Sequence, residues 1–412
     1  MAKKTIADVD VKGKKVLVRC DFNVPLDADK NITDDARITE AMPTLKSVLD
    51  RGGSLILMSH FGRPEGERIM KYSLAPVAKR LSELFGKKVV FPDDCIGADV
   101  KAKAAALKPG DIMLLENLRF HPAETIKDKS AKTEPQLRAE KDAFAKQIAD
   151  LADVYVCDAF GTAHRDNASM LTVPQMMKGK PIVAGFLMEK EIQFLGDTIE
   201  KGEKPFVAIL GGAKVSDKLQ VIENLMSKVD TIIIGGGMSF TFAKAKGEKI
   251  GKSLCEEEFV AKAGELLEKS KNGKCQILLP VDAVVAQEFK ADAATKVVEG
   301  DIEDGWMGLD IGPKTAKLFA DKIKAAKTVV WNGPMGVFEM EAFAKGTKAV
   351  AQALADATAK GARTVIGGGD SASAIKVFGL QDKVSHVSTG GGASLEMLEG
   401  KKFVCIAILD EK

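Results

Sequence analysis

Short apolar runs rich in β-branched residues alternate with longer stretches of helical periodicity along the whole chain. This alternation is typical of βαβ units, in which helices join parallel strands and cover the sheet. It constrains the fold more strongly than any other feature of the sequence. The chain has 412 residues, more than one hydrophobic core usually supports, so we expect more than one such domain.

Two sets of six strands are predicted. The first set is KVLVRCD (15–21), SLILMSH (54–60), KVVF (88–91), DIMLLEN (111–117), DVYVCDAF (153–160) and PIVAG (181–185). The second set is PFVAIL (205–210), TIIIGG (231–236), QILLPVD (276–282), KTVVWNG (327–333), RTVIGGG (363–369) and HVSTGG (386–391).

The predicted fold is α/β, with two doubly wound, Rossmann-like domains that each contain a mostly parallel six-stranded sheet. The stretch between the strand sets has helical spacing and mixed charge, which favours a hinge helix over a flexible linker. The predicted bounds are 1–185 for the N-terminal domain, 186–204 for the hinge helix, 205–395 for the C-terminal domain and 396–412 for a C-terminal segment that packs back on the N-terminal domain.

Charge and composition exclude several classes of protein. The chain has 60 basic and 58 acidic residues, so it lacks the positive field that binds nucleic acid or an anionic membrane. Hydrophobic residues make up 45%, which excludes wholesale disorder. The six cysteines form no CxxC pair, and the N-terminus has no apolar signal region. We therefore expect a soluble, cytoplasmic protein with reduced thiols and small-molecule partners.

Arginine and glycine are distributed unevenly along the chain. Nine of the ten arginines lie in the first 165 residues, whereas 27 of the 38 glycines lie after residue 185. Arginine suits bidentate binding of carboxylate and phosphate, and glycine allows backbone amides to approach phosphates closely. The two halves are therefore predicted to bind different anions, with compositional drift between domains as the alternative explanation.

Polar clusters follow the predicted strands of the first half. Ligands of open parallel sheets bind beyond the carboxyl ends of the strands, where helix N-termini and loop amides converge. A structural salt bridge would explain any one arginine at such a place, but four arginines with interleaved histidines favour a single strongly anionic ligand. The candidates are Asp21, Asn23, Arg37, His60, Arg63, Arg119, His164 and Arg165.

Glycine-rich segments follow the strands of the second half, in ILGGAKVSDK, IIGGGMSF, WNGPMGVFE, IGGGDSAS and STGGGAS. A tight turn would explain any single segment, but their recurrence at one sheet edge predicts a phosphate-binding site. Lys214 and Lys218 are four residues apart and are predicted to share one helix face directed at that edge. Asp370 is the predicted carboxylate for Mg²⁺ bound to nucleotide phosphates.

Two motifs are excluded as nucleotide sites. GEKIGKS (247–253) resembles a Walker A loop, but it has three residues between its glycines where the motif requires four, so we interpret it as a surface loop. The first strand ends in RCDFN and lacks the GxGxxG fingerprint, which disfavours a nicotinamide-dependent dehydrogenase.

Nine motifs, in order along the chain, together resemble the phosphoglycerate kinase family: VRCDFNVP, TDDARI, SHFGRP, ENLRFH, DAFGTAHR, GGAKVSDK, WNGPMGVFE, GGGDSAS and STGGGAS. The resemblance implies a two-lobed monomer that closes about a hinge. It further implies a glycolytic enzyme whose N-terminal lobe binds 3-phosphoglycerate or 1,3-bisphosphoglycerate and whose C-terminal lobe binds ADP or ATP with Mg²⁺. A catalytically inactive ligand-binding relative of the same fold is the alternative.

The resemblance also implies roles for individual residues. The implied phosphoglycerate contacts are Asp21, Phe22, Asn23, Arg37, His60, Gly62, Arg63, Arg119, His164 and Arg165. The implied nucleotide contacts are Lys214, Lys218, Gly236, Gly308, Asn332, Glu339, Gly368, Gly369, Asp370 and Ser371, with Asp370 as the metal ligand. Arg37, Lys214, Gly369 and Gly392 would meet the transferring phosphoryl group.

The sequence departs from the family pattern at three places. Asp166 and Asn167 stand where the family usually has Ala-His, Phe61 stands where leucine is more common, and the tail KKFVCIAILDEK lacks the usual proline-containing turn. The first departure is expected to add an acidic group near the phosphoglycerate site. The third departure means that the sequence does not predict how the C-terminus packs on the N-terminal domain.

Overall fold

The computed structural model describes residues 2–412, which fold into two compact units. The first unit runs to Glu191 and also includes Lys402–Lys412, and the second unit is Ile192–Lys401. These bounds lie about six residues beyond the predicted domain limits at 185 and 395. The stretch between the predicted strand sets is helical from Phe186 to Lys201, and the boundary between the units falls within it.

The first unit contains one parallel sheet of five strands with the order β3-β2-β1-β4-β5. The strands are β1 (Lys15–Cys20), β2 (Ser54–Met58), β3 (Ile112–Leu114), β4 (Val154–Asp158) and β5 (Ile182–Ala184). The helices are α1 (Ala36–Asp50), α2 (Ala75–Phe85), α3 (Ala98–Ala105), α4 (Asp128–Thr133), α5 (Pro135–Ala149), α6 (Val173–Met176) and α7 (Phe186–Glu191).

The segment KVVF (88–91) does not form the sixth strand that we predicted for this sheet. Val90 makes a single bridge to Met113, with its N–H donating to the Ile112 carbonyl at 2.8 Å. Pro92 follows two residues later and has no N–H for a ladder hydrogen bond, so pairing stops after one residue. The sheet of the first unit therefore has five strands, not six.

The second unit contains a parallel sheet of six strands, as predicted, with the order β14-β13-β12-β6-β7-β8. Its strands are β6 (Phe206–Leu210), β7 (Thr231–Ile234), β8 (Gln276–Leu278), β12 (Thr328–Asn332), β13 (Arg363–Ile366) and β14 (His386–Val387), and a separate sheet holds β9 (Asp282–Ala286), β10 (Thr295–Glu299) and β11 (Met307–Ile311). The helices are α8 (Thr198–Lys201), α9 (Leu219–Leu225), α10 (Ser239–Ala245), α11 (Val260–Asn272), α12 (Pro313–Lys324), α13 (Lys345–Ala359), α14 (Gly369–Val377) and α15 (Gly392–Leu398).

The separate sheet is antiparallel, with the order β10-β9-β11, and was not predicted. The sequence QILLPVD (276–282) was interpreted as one strand. Pro280 separates it into β8, which ends at Leu278, and β9, which begins at Asp282. Asp282 caps the N-terminus of α12, because its carboxylate accepts hydrogen bonds from the N–H groups of Lys314 at 2.9 Å and Thr315 at 2.8 Å.

Each unit has its own apolar core between its sheet and its helices. In the first unit, β1 and β2 pack against α1 and α2 through buried side chains such as Val18, Leu57, Leu45 and Leu81. In the second unit, Trp331 on β12 is buried and packs in a cluster with residues of α12 and α13. The central strands β1, β2, β4, β6, β7 and β12 are buried on both faces, as expected for parallel sheets covered by helices.

The C-terminal segment Lys402–Lys412, which contains α16 (Val404–Ala407), belongs to the first unit. Asp410 accepts a hydrogen bond from the Lys4 N–H at 2.8 Å through its carbonyl and donates its own N–H to the Ile182 carbonyl at 2.8 Å. The tail is therefore fixed beside β5 by backbone hydrogen bonds without the family's usual proline-containing turn.

No helix within residues 2–412 is long and apolar enough to cross a membrane. All six cysteines are free thiols, and five of them are buried.

Candidate functional site

The carboxyl ends of the strands in the first unit bring the predicted anion-binding residues to one edge of the sheet. The chain reverses its direction of travel through the sheet between β1 and β4, which is the position where ligands bind in doubly wound folds. Asp21, Phe22 and Asn23 follow β1; His60, Gly62 and Arg63 follow β2; Arg119 lies in a 3₁₀ turn after β3; His164 and Arg165 follow β4; and Arg37 is the second residue of α1.

Arg37 is held by Asp21. Its Nη1 lies 2.6 Å from Asp21 Oδ2, and the Arg37 side chain is 38% exposed whereas that of Asp21 is 11% exposed. The carboxylate therefore anchors one face of the guanidinium while the rest of the group stays open to solvent. A charged donor oriented in this way can meet an anionic ligand without first being ordered.

A chain of hydrogen bonds connects the loops after β1, β2 and β3. The Gly62 N–H donates to Asn23 Oδ1 at 2.9 Å, and the Gly62 carbonyl accepts from Arg119 Nη1 at 2.6 Å. Asn117 links the same loops, because its amide accepts from the Phe61 N–H at 3.0 Å and donates to the Phe61 carbonyl at 2.7 Å. These contacts fix the position of Arg119 relative to the neighbouring strand ends.

His60 lies among four arginines and is buried. Its pKa is held well below the usual value, mainly by burial and then by the positive charges of Arg19, Arg119, Arg165 and Arg37. The ring is therefore neutral at physiological pH. The same concentration of charge acts on Arg119, whose pKa is lowered to about 10 by burial and by Arg165 and Arg19. Positive charge concentrated in this way favours an anionic ligand.

Arg19 is a member of this cluster that we did not predict from the sequence. It lies on β1, is fully buried, and places Nη2 at 3.3 Å from His60 Nδ1. Its Nε donates to Ser169 Oγ at 2.9 Å. An arginine inside the apolar run VLVRC is a signal that could have identified it, because a buried guanidinium requires dedicated partners.

The remaining predicted residues differ in how tightly they are held. Arg63 is exposed and forms no hydrogen bond or ion pair with any residue that the structure describes. Arg165 Nε donates to His164 Nε2 at 3.2 Å. Arg119 Nε is buried and has no hydrogen-bond partner within residues 2–412, which leaves a guanidinium donor at this edge for an acceptor group.

Asp166, an acidic residue at a position where the sequence departs from the family pattern, forms hydrogen bonds with other parts of the first unit. Its carboxylate accepts a hydrogen bond from the Asp128 N–H at the start of α4 at 2.7 Å, and its carbonyl accepts from Lys141 Nζ at 2.8 Å. Lys141 is fully buried, and burial lowers its pKa while the charges of Asp166 and Asp128 raise it. Asp166 therefore serves as a helix cap and as a counter-charge for a buried lysine.

In the second unit the chain reverses direction between β6 and β12, and glycines line this position. A Cβ atom on Gly211 would lie 2.6 Å from the Gly333 carbonyl oxygen, and one on Gly333 would clash with the Gly211 carbonyl oxygen. The two loops therefore meet backbone to backbone, and no larger residue fits at either place.

Two neighbouring cavities of the second unit contain every predicted nucleotide residue in their linings. The first cavity, about 470 Å³, is lined by Gly236, Gly308, Glu339 and Asp370, together with apolar side chains such as Phe240 and Leu254. The second, about 780 Å³, is lined by Lys214, Lys218, Asn332, Gly368, Gly369, Asp370, Ser371 and Gly392. Asp370 lines both cavities, so one ligand with an apolar and an anionic part can occupy both.

Lys214 and Lys218 do not share a helix face, contrary to our prediction. The helix α9 begins at Leu219, so Lys218 is its N-cap residue and Lys214 lies in the preceding loop. The loop is fixed by Glu256, whose carboxylate accepts from the Ser216 N–H at 2.9 Å and the Ser216 hydroxyl at 2.6 Å. Both lysines nevertheless line the 780 Å³ cavity.

Lys218 is largely buried and hydrogen-bonds to Asn332 Oδ1. Burial lowers the pKa of Lys218 to about 8, partly opposed by the charges of Asp217, Asp370 and Glu399. Asn332 Nδ2 is buried and has no hydrogen-bond partner in the described chain. An anion in this cavity would contact the buried Lys218 ammonium group, whose charge it would help to balance, and the unpaired Asn332 Nδ2 donor.

Ser371 and Asp310 position the backbone around these cavities. The Ser371 hydroxyl accepts a hydrogen bond from the Gly333 N–H at 2.5 Å. Asp310, which we did not predict, accepts from the N–H groups of Gly346 at 2.7 Å and Ile311 at 2.9 Å. Burial raises the pKa of Asp310 to about 7. It belongs to β11, so the sequence offered no signal for it once the antiparallel sheet was missed.

Comparison with known proteins identifies the family. The family model described as phosphoglycerate kinase matches residues 6–401. The phosphoglycerate kinase of Chloroherpeton thalassium is 56% identical over 410 residues, 99% of each chain, and that of Clostridium botulinum is 53% identical over 413 residues, 100% of this chain and 99% of the relative.

Solved structures agree with this result. The structure of phosphoglycerate kinase from Coxiella burnetii has a TM-score of 0.87 and 40% sequence identity, and covers 98% of each chain. The phosphoglycerate kinase from Pyrococcus horikoshii has a TM-score of 0.81 and 32% identity over 99% of this chain and 98% of its own. The chain therefore belongs to the phosphoglycerate kinase family.

Proposed function

We propose that the chain catalyses the reversible transfer of the acyl phosphate of 1,3-bisphosphoglycerate to ADP, with formation of 3-phosphoglycerate and ATP. The observation that carries this proposal is the presence of two anion sites of different chemistry on two separate units. One is a cluster of arginines around His60, and the other is a pair of glycine- and lysine-lined cavities. Membership of the phosphoglycerate kinase family supports the same reaction.

The arginine cluster is proposed to bind the phosphoglycerate. A phosphorylated carboxylate carries several negative charges at neutral pH, and guanidinium groups bind such oxygens in a bidentate manner. Arg119 and Arg165 are proposed to supply most of the fixed charge, and the exposed Arg63 to close on the ligand. Asp21 orients Arg37, and neutral His60 contributes hydrogen bonding.

The two cavities of the second unit are proposed to bind the nucleotide. The 470 Å³ cavity is mainly apolar in its side chains and suits the adenine ring, with Gly236 and Gly308 allowing close approach. The 780 Å³ cavity suits the phosphates, because Lys218 and the N-terminus of α14 supply positive charge and free N–H groups. Asp370 lines both cavities.

Asp370 fits the role of a ligand to nucleotide-bound Mg²⁺. Its side chain is exposed at the start of α14 and has no hydrogen-bond or ion-pair partner among the described residues. Mg²⁺ is commonly bound by one or two carboxylates together with phosphate oxygens. When bound, the ion would offset part of the negative charge on the nucleotide phosphates.

The proposed chemistry requires positioning and positive charge but no general base. In the direction of ATP synthesis the nucleophile is an ADP phosphate oxygen, and in reverse it is a carboxylate, which is already ionised at neutral pH. Transfer spreads negative charge over the oxygens of the moving phosphoryl group. Arg37, Lys214 and the N–H groups of Gly369 and Gly392 are proposed to stabilise that charge.

A coupled assay tests the proposed activity. With glyceraldehyde-3-phosphate dehydrogenase added, NADH oxidation should require ATP, 3-phosphoglycerate and this protein together. A chain that binds both ligands in calorimetric titrations but gives no NADH oxidation would be an inactive relative, and the proposed function would be wrong. A chain that oxidises NADH without the added dehydrogenase would instead be a dehydrogenase itself.

A further inference from the structure

We propose that Asp94, Cys95 and His121 in the first unit form a binding site for a zinc-type divalent cation. One ligand atom from each side chain lies within 4.8 Å of the other two. None of the three residues has a part in the proposed phosphoryl transfer. The site is assembled from two segments of the chain, since Asp94 and Cys95 precede α3 whereas His121 lies between two 3₁₀ turns after β3.

Existing contacts bring two of the ligands close together. Asp94 Oδ1 lies 2.7 Å from His121 Nε2 and also accepts a hydrogen bond from the Cys95 N–H at 2.6 Å. The His121 ring packs on Phe144, with a distance of 5.4 Å between ring centroids. The contact with Phe144 positions the imidazole from outside the ligand set. The hydrogen bond between Asp94 and His121 joins two of the ligands, and bonds to the ion would replace it.

The donor atoms match zinc in type. A thiolate sulfur, an imidazole nitrogen and a carboxylate oxygen are the three ligand types that Zn²⁺ uses in proteins, whereas Mg²⁺ prefers oxygen alone. Tetrahedral zinc at its usual bond lengths separates its ligand atoms by roughly 3.3–3.7 Å. The present separations range from 2.7 Å to at most 4.8 Å, so shifts of about 1 Å would form the site.

Charge and exposure also fit a bound cation. Burial raises the pKa of the Cys95 thiol well above its usual range, so the ion itself must displace the thiol proton. The resulting thiolate and the Asp94 carboxylate then balance the two positive charges of the ion. Cys95 is buried, but the side chains of Asp94 and His121 are 37% and 26% exposed. The site therefore opens to solvent on one side, where a water molecule can supply the fourth ligand.

Bound metal would stabilise the turn that carries Arg119. His121 follows Arg119 by two residues, and the His121 N–H donates to the Leu118 carbonyl at 3.2 Å. An ion that joins His121 to the segment before α3 would cross-link this turn to a second part of the unit. Any ligand that binds only the folded state raises the stability of that state.

Cobalt titration of the metal-free, full-length protein tests the proposal. Co²⁺ is a spectroscopic substitute for Zn²⁺ and gives an intense near-ultraviolet charge-transfer band only when a thiolate is a ligand. We expect one Co²⁺ per chain with this band, its loss on addition of Zn²⁺, and its persistence in excess Mg²⁺. We also expect Zn²⁺ to raise the melting temperature.

Three variants locate the site. Cys95→Ser should abolish the charge-transfer band, whereas Cys255→Ser, which alters the partly exposed thiol of the second unit, should leave it unchanged. Because Cys95 is buried and its variant could unfold, Asp94→Asn provides a second test that keeps an oxygen acceptor for the Cys95 N–H. It should weaken Co²⁺ binding by more than about 10-fold.

Each other outcome would overturn the proposal. Absence of the charge-transfer band in the folded wild-type protein would leave Asp94 and His121 as a hydrogen-bonded pair without a metal role. A band that survives in both Cys95→Ser and Asp94→Asn, with circular dichroism showing both variants folded, would place the metal at another thiol.

Discussion

Arg37 is the residue on which the proposed chemistry depends most. Its environment allows a catalytic role to be tested without disturbing the fold. Its ion pair with Asp21 leaves it partly exposed, and α1 does not depend on this contact for its core packing. Arg80 on α2 provides a matched control in the same unit. Its side chain is 37% exposed and pairs with Asp35 at 2.8 Å and Glu83 at 3.0 Å.

We predict that Arg37→Ala lowers kcat by roughly 1,000-fold or more, because charge on the moving phosphoryl group loses its arginine donor. Affinity for Mg-ADP, measured by calorimetry, should stay nearly unchanged. Arg80→Ala should leave both quantities close to wild type, since exposed ion pairs contribute little. An equal loss of nucleotide affinity in Arg37→Ala would contradict the assigned role.

Asp158 is a buried carboxylate that makes the stability of the first unit depend on pH. It lies at the end of β4, and its Oδ1 accepts a hydrogen bond from the Met188 N–H in α7 at 3.0 Å. Burial raises its pKa to about 7. An unfolded aspartate has a pKa of about 3.9, so between these values the folded state binds more protons than the unfolded state. This group therefore lowers stability progressively as pH rises from about 4 to about 7.

We predict that Asp158→Asn gains stability relative to wild type as pH rises from 5 to 8, because the amide stays neutral and keeps the acceptor for Met188. Hydrogen exchange of the β4 amides, converted to free energies of opening, measures this difference. Asp99→Asn alters an exposed carboxylate of α3 and should show no such trend. A pH-independent difference for Asp158→Asn would refute the raised pKa.

At the level of elements, the sequence predicted the parallel sheets well because their strands are buried apolar runs that end in polar or glycine-rich clusters. The polar clusters after β1 to β4, and the glycine segments after β6, β7, β12, β13 and β14, all lie at strand ends in the structure. Strand ends of a parallel sheet converge by geometry, so residues far apart in sequence could be grouped without knowledge of their contacts.

The errors in prediction have physical causes. The strands β10 and β11 have mixed polar and apolar residues, and β10 alternates between exposed and half-buried positions, so neither forms an apolar run. Lys214 was placed on a helix because its spacing from Lys218 matches a helical turn, but spacing does not show where a helix begins. Asp310 was missed because its role depends on tertiary contacts, whereas the position of Arg19 inside an apolar run was a sequence signal that we did not use.

The loop after β7 illustrates a constraint that tertiary structure imposes on one glycine. Gly236 has φ of 68°, and a Cβ atom there would lie 2.6 Å from the Gly212 nitrogen and 2.8 Å from the Pro334 carbonyl oxygen. Gly247 also has a positive φ, 89°, but a Cβ atom there would meet no atom within 4 Å. A side chain at Gly247 would therefore cause backbone strain alone, whereas one at Gly236 would add a steric clash to that strain.

We predict that Gly236→Ala destabilises the second unit by roughly 1–3 kcal/mol more than Gly247→Ala, because the clashing atoms belong to the backbone. Both tryptophans, Trp306 and Trp331, lie in this unit, so fluorescence during urea unfolding reports on it directly. Gly236→Ala should also weaken nucleotide binding, since Gly236 lines the 470 Å³ cavity. Equal effects of the two substitutions would show that the close backbone approach at Gly236 does not constrain the loop.

At the scale of the whole molecule, the proposed ligand sites lie on different units, and phosphoryl transfer requires their ligands to meet. We predict closure about the helical stretch predicted at 186–204, which would also exclude water from the acyl phosphate. In small-angle X-ray scattering, the radius of gyration should fall when 3-phosphoglycerate and Mg-ATP are bound together. No compaction with both ligands would count against closure.

The two units are proposed to divide the ligands between them, so that the first binds phosphoglycerate through arginine and the second binds nucleotide through lysine and glycine. Calorimetric titration of Arg119→Ala and Lys218→Ala with each ligand tests this division most directly. We predict that Arg119→Ala loses affinity for 3-phosphoglycerate but binds Mg-ADP like the wild type, and that Lys218→Ala shows the opposite pattern. Loss of both ligands in either folded variant, or the reverse pattern, would contradict the assignment.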